Sequence, residues 1–229
     1  MKLRWLGHSA FEMTSNNGLN IIVDPFIHAN PACPLKLNEL HPDVVCITHG
    51  HADHFGDVVE IARANPNLVV ITNYEISIYL QREGVNAIGI NYGAHVKIGD
   101  VEIRMLKAEH TSTFDFDIDT KYAGNPASFL FTFDDGLKIF HAGDTGLFSD
   151  MKFVIGDIYR PDIALLPIGN IFTMDIKEAA VAADWINPEY AIPMHYNSFP
   201  SIAQNPEEFK KIVKNCKVLI PKVLETLEF

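Results

Sequence analysis

Six consecutive residues, His49-Gly50-His51-Ala52-Asp53-His54, carry three imidazoles and one carboxylate. Nitrogen and oxygen donors packed this closely suit Zn, Fe or Mn. Taken alone, the run also reads as a polar loop whose histidines face solvent. Its position argues for more, because it directly follows the apolar run Val44 to Thr48, and the end of a strand is where other elements can supply missing ligands. Three further residues stand at comparable places. His110 follows Val101 to Lys107, Asp144 follows the F-H-A-G ending of another apolar run, and His195 follows A-I-P-M. Singly, each histidine reads as a loop residue and Asp144 as the closure of a G-D-T turn. Jointly, they describe side chains distant in sequence converging at one end of a packed sheet to enclose metal ions.

Those runs fit strands and helices in alternation. An opening strand breaks near Gly7, and the N-N-G turn at Asn16 to Gly18 leads into a strand over Leu19 to Asp24, stopped by Pro25. Helices are expected at Val58 to Ala64 and Glu75 to Glu83, with a strand at Leu68 to Thr72 between them. Hairpins are expected at Val96 to Lys107 and at Ala127 to Ala142, where Phe129, Phe131 and Phe133 share one face and read as sheet packing. Ile163 to Pro167 and Tyr190 to Met194 read as strands flanking a helix that Asp175 caps, with Glu178 as its acidic partner. A last helix spans Glu207 to Asn215 and leads into Val218 to Ile220. Together these elements imply an α/β fold of four αβ/βα layers, with one domain over residues 1–229. The irregular stretch Thr111 to Pro126 follows a candidate ligand and reads as an active-site loop.

The composition narrows the classes of function. A formal charge of -11 argues against broad binding of nucleic-acid backbones. No apolar run reaches bilayer length, and the N-terminus lacks the pattern of a signal peptide, so a soluble cytoplasmic protein is expected. Cys33, Cys46 and Cys216 are isolated and indicate neither a disulfide framework nor a cysteine metal site. A small-molecule substrate is the expected partner, and apolar edges leave room for a homo-oligomer.

With the later His, Asp and His, the H-x-H-x-D-H loop resembles the metallo-β-lactamase superfamily. W-L-G-H-S-A-F at Trp5 to Phe11, V-D-P at Val23 to Pro25, H-A-G-D-T at His141 to Thr145 and L-P-I-G-N-I-F-T-M at Leu166 to Met174 extend the similarity. They resemble small metal-dependent hydrolases related to ascorbate-6-phosphate lactonase. The resemblance implies that His49, His51 and His110 hold a first metal and that Asp53, His54 and His195 hold a second. Asp144 would bridge the two. It also implies support of the metal-binding loop by Asp24. Redox-active di-iron relatives usually carry Glu where this chain has His51, which favours hydrolysis.

The expected activity is hydrolysis of a small ester, lactone or phosphoester by a hydroxide bridging two divalent ions, zinc first, manganese or iron next. A phosphodiesterase or nuclease is the second enzymatic alternative, and a nonenzymatic metal-binding or assembly protein is the third reading. Asp53 and His8 are the candidate catalytic residues, Asp53 to orient the nucleophile and His8 to deliver a proton. His141 and Thr145 are assigned supporting roles behind the ligands. Gly169 and Asn170, at a loop-to-helix transition, are candidate backbone donors to an anion, and Phe172, with Phe114, Phe116 and Tyr122, a candidate apolar entrance. Asp115, Asp117 and Asp119 make the long loop acidic and would oppose a highly anionic substrate unless Lys121 or Arg160 compensates.

Overall fold

A computed structural model describes residues 1–115 and 120–229. Phe116, Asp117 and Asp119, named above, lie outside the described residues. The first sheet contains β1 (Lys2–Gly7), β2 (Ala10–Thr14), β3 (Asn20–Val23), β4 (Val44–Cys46), β5 (Val69–Asn73), β6 (Ala87–Ile90) and, at its far edge, the last strand of the chain. β1 to β3 pair antiparallel. β3 to β6 pair parallel. Parallel neighbours require crossovers: residues 24–43, with a short turn at Leu37–Glu39, join β3 to β4, α1 (Ala52–Phe55) with α2 (Val58–Ala64) joins β4 to β5, and α3 (Tyr74–Arg82) joins β5 to β6.

The second sheet repeats this division. β7 (His95–Ile98), β8 (Val101–Lys107), β11 (Ala127–Phe133) and β12 (Lys138–His141) are antiparallel neighbours, with the small hairpin of β9 (Thr113–Phe114) and β10 (Lys121–Tyr122) lying between β8 and β11 in sequence. β13 (Ile163–Pro167), β14 (Tyr190–Met194) and β15 (Lys217–Val218) then continue from β12 in parallel. A π-type helix over Met151–Tyr159, α4 (Ile176–Ile186) and α5 (Pro206–Ile212) lie on this half, and β16 (Thr226–Glu228) returns to pair with β1.

Side-chain alternation explains the layering. Ile21, Val23, Val44 and Cys46 point into the core between the sheets, where they meet Ile103, Phe129, Phe131 and Leu165. Their neighbours Ile22 and Val45 face the opposite way, onto Val58, Ile61, Ile76 and Leu80 of α2 and α3. This period of two makes each strand a two-sided surface with one face for each layer. Phe129, Phe131 and Phe133 are buried in the central core, as sheet packing requires. On the outer face of the second sheet, Asp175 caps α4 by accepting from the N–H groups of Lys177 and Glu178, and Ala179, Ala182 and Ala183 let the helix lie close. The result is the four-layer αβ/βα arrangement. Among the described residues, no helix is long and apolar enough to cross a membrane.

Candidate metal centre

Six strands deliver polar side chains from their C-terminal ends to one rim of the sandwich. His8 follows β1, Asp24 follows β3, and the His49 to His54 run follows β4. From the second sheet, His110 comes after β8, Asp144 after β12 and His195 after β14. Ligands of open α/β sheets gather at the carboxyl ends of strands for the same geometric reason.

His8, Asp24 and His195 adopt left-handed backbone conformations, with φ of 56°, 48° and 55°. Such angles are unusual for residues with a side chain and persist where the surroundings over-determine them. Here the His8 carbonyl accepts from both Trp5 Nε1, at 2.9 Å, and the His195 N–H, at 3.1 Å. The Asp24 N–H donates to Cys46 O at 2.9 Å. The rim is therefore tied across both sheets.

Asp24 sets the direction of two imidazoles. Its fully buried carboxylate accepts from the Thr48 N–H at 2.8 Å and the Thr48 hydroxyl at 2.7 Å. With its proton given to Asp24, Thr48 Oγ1 accepts from His49 Nδ1 at 2.9 Å. His54 Nδ1 also donates to Asp24, at 2.8 Å. Both histidines consequently turn an Nε2 lone pair toward the rim. Thr48 had no place among the sequence candidates. Its position directly before the H-x-H run was the available signal.

Among the described residues, three groups of donors lie within reach of a common ion, each with its ligand atoms inside 4.8 Å of one another: His49, His51 and His110; His49, His54 and Asp144; and His8, Asp53, His54 and His195. Asp144 reaches across them. Its Oδ2 is 3.0 Å from His195 Nε2 and 3.7 Å from His110 Nε2, and its Oδ1 is 3.2 Å from His54 Nε2. His54 Nε2 and Asp144 Oδ1 are buried without a hydrogen-bond partner, as is His195 Nδ1. Two unpartnered acceptors facing each other in a buried place fit a cation between them, since burial without a partner is otherwise costly.

The electrostatics separate the donors, and at His54 a bound cation would displace a proton. Burial, with His54 nearby, holds His49 well below the usual histidine range, and burial lowers His110 against the pull of Asp144. Neutral imidazole is the form that ligates. Burial disfavours the Asp144 carboxylate, but His195 and His54 outweigh it and keep its pKa well below normal. Burial likewise opposes charge on His54, where Asp144, Asp24 and Asp53 prevail and raise it. His8 is pushed down to about 4, by burial first and His195 next.

The supporting residues stand around this centre. His141 Nδ1 accepts from the Gly143 N–H at 3.1 Å, so its Nε2 carries the proton and donates to Ser9 O at 2.9 Å. It ties the Asp144 turn to the His8 turn without facing the donors. Thr145 Oγ1 accepts from the Glu109 N–H at 3.0 Å, which joins the Asp144 turn to the His110 loop.

Asn170 differs from the sequence expectation. The Asn170 N–H is already donated to Met174 O at 3.0 Å, so it is not free for an anion. Gly169 instead gives clearance, because a Cβ there would come within 2.4 Å of His195 O and 2.8 Å of His195 Nδ1. Phe172 does line the cavity above the donors, a space of about 370 Å³ shared with His51, Asp53, His110, Thr111, Asp115, Asp144 and His195. Asp115 Oδ1 accepts from the Ala52 N–H at 2.7 Å, and Ser112 Oγ from the Gly50 N–H at 3.2 Å, so the described start of the long loop is fastened to the histidine run.

Comparison with known proteins matches this geometry to a family. Residues 2–195 fit the family model described as a beta-lactamase superfamily domain. A UPF0173 metal-dependent hydrolase of Methanobrevibacter smithii is 50% identical over 224 residues, covering 98% of this chain and 93% of the relative. Among solved structures, Igni18, a metallo hydrolase from the archaeon Ignicoccus hospitalis, is 38% identical with a TM-score of 0.88, covering 100% of this chain and 98% of its own. An isothiocyanate hydrolase from Delia radicum gut bacteria shares the fold at 19% identity, with a TM-score of 0.77 and coverage of 100% and 99%. The chain belongs to the beta-lactamase superfamily and, within it, to the UPF0173 metal-dependent hydrolases.

Proposed function

We propose that this metal-dependent hydrolase works with two divalent ions, one held by His49, His51 and His110, the other by Asp53, His54 and His195, with Asp144 shared. The observation that carries this reading is Asp144. Its two oxygens lie within 4 Å of histidines from both groups, and Oδ1 is buried with no hydrogen-bond partner. Bound there, divalent ions, zinc by preference, supply Lewis acidity that makes water nucleophilic at neutral pH and polarises the electrophile.

The chain's own residues orient the reaction. Asp53 Oδ2 is held by His8 Nε2 at 3.1 Å, which fixes the carboxylate beside the nucleophile's place. The cavity is of a size for a small molecule, with Phe172 as an apolar wall. Asp53 and Asp115 also line the cavity and make it acidic, which weighs toward an uncharged ester or lactone over a multiply charged phosphoester.

The test combines metal quantification with turnover of metal-matched samples on ester, phosphorylated-lactone and phosphodiester substrates. Two ions per chain are expected, with ester or lactone hydrolysis that is lost on chelation and restored by added metal. A single ion at saturating metal, or two ions without turnover of any of these substrates, sinks the reading.

A further inference from the structure

Ser198 has no part in the chemistry above, yet it is buried and its hydroxyl meets the His8 ring. His8 Nδ1 lies 2.5 Å from Ser198 Oγ, and His8 Nε2 lies 3.1 Å from Asp53 Oδ2. The three residues come from the turn after β1, from α1 and from the loop after β14. Phe26 and Phe199 stand edge-on to the imidazole, each with its centroid 5.6 Å away, and fix the plane of the ring. The His8 carbonyl is itself doubly bonded, to Trp5 and His195, so the ring is presented to these partners from a fixed backbone.

Two proton arrangements meet these distances. In the first, the Ser198 hydroxyl donates to Nδ1 and His8 donates its Nε2 proton to Asp53. In the second, His8 donates from Nδ1 to Ser198 and turns an Nε2 lone pair toward Asp53. That arrangement is tolerable only with a cation between them, and it would make His8 a ligand beside Asp53, His54 and His195.

Two observations favour the first. An Nε2 proton is aligned with Asp53 Oδ2 as a hydrogen bond, whereas His54 Nε2 and Asp144 Oδ1, at a similar 3.2 Å, are not so aligned. In addition, the only partner of Ser198 Oγ among the described residues is His8 Nδ1. If Nδ1 carried the proton, the buried hydroxyl hydrogen would have no acceptor, which costs the full desolvation of that group.

We propose that Ser198 is a positioning residue that holds His8 in the Nε2-protonated tautomer, so that His8 grips Asp53 Oδ2, leaves Oδ1 for the metal and does not itself ligate. The inference rests on the two-metal reading for its consequence, although the tautomer exists without metal.

Histidine-selective 15N labelling tests it, in metal-free protein and in protein loaded with 113Cd. His8 Nε2 is expected to show a directly bonded proton in both and no coupling to cadmium, while His54 Nε2 and His195 Nε2 couple to it. Ser198→Ala should lose this tautomer signature and weaken cadmium binding at the Asp53, His54 and His195 group about 10-fold, the low end for loss of a group that orients a ligand. Ser198→Thr should restore both. Cadmium coupling at His8 Nε2, or a proton on Nδ1, overturns the proposal, as does a Ser198→Ala protein with unchanged tautomer and affinity. The unsubstituted protein's spectrum decides even if Ser198→Ala fails to fold. Absence of any bound cadmium would instead sink the two-metal reading, and the metal-free spectrum would still decide the role of Ser198.

Discussion

The two donor groups are built to different standards. In the outer group, His51 and His110 line the cavity and are partly exposed, while His49 is buried behind them. In the inner group, His54 and His195 are both buried while Asp53 is partly exposed at the cavity, and His54 has its second nitrogen committed to Asp24. Each group thus has one histidine oriented through its second nitrogen, His49 by Thr48 and His54 by Asp24, and the inner group adds the bond from His8 to Asp53. The contrast teaches that preorganisation is concentrated where a ligand has to be fixed, while the outer group keeps the accessibility a substrate needs. Buried partners lose little entropy on binding an ion because their rotamers are already chosen.

Asp144 is the residue that the two-metal proposal shares between the groups, so its loss should erase the contrast. Asp144→Asn keeps the shape but removes the shared charge. Hydrolysis should fall by more than about 10²-fold, the scale for losing a group that stabilises transition-state charge. Metal content should fall from two ions toward one or none. Full activity with two retained ions would remove Asp144 from the shared position.

Asp24→Ala should come next in size. It unpairs the Thr48 N–H and hydroxyl and His54 Nδ1, all buried, and releases the orientation of one histidine in each group. Metal affinity should drop about 10- to 100-fold, and unfolding of the metal-free protein in urea should show a loss of about 3 kcal/mol. If affinity fell without any change in stability, the hydrogen bonds to Asp24 would not be structural.

Parts of this centre are legible in the sequence because they are local. The His49 to His54 run places four donors in six residues, and the apolar stretches before His110, Asp144 and His195 mark strand ends directly. The less legible parts depend on distant partners. Ser198 is one hydroxyl in a polar loop until His8, 190 residues away, meets it. β16 exists because it pairs with β1 from the other end of the chain. The helix over Met151–Tyr159 is rich in β-branched and aromatic residues and contains Gly156, all poor signals for a helix. Packing explains it: a Cβ at Gly156 would come within 2.4 Å of Trp185 O, so the glycine lets this helix lie against α4. Likewise, Asn170 reads as an anion donor only until the turn's internal bond to Met174 O is known.

Stepwise chelation sharpens the comparison between the groups. A competing chelator should remove the outer ion at a concentration about 10-fold below that needed for the inner one, as the difference in orienting bonds implies. Metal content measured along the titration should pause near one ion per chain. Loss of both ions in a single step would mean that the shared Asp144 couples the groups more strongly than their separate surroundings distinguish them.

The smallest expected effect lies outside both groups. Phe172 lines the cavity and is 55% exposed, so a substrate entering there would touch it while no donor depends on it. Phe172→Ala should raise KM several-fold on an ester or lactone with an apolar substituent, roughly 1 kcal/mol of lost contact, and leave kcat and metal content unchanged. That pattern is what a residue contributing equally to ground-state and transition-state binding produces. A fall in kcat at unchanged KM would instead tie Phe172 to the donors beneath it. The separation between a built metal floor and an adaptable substrate wall would then no longer hold.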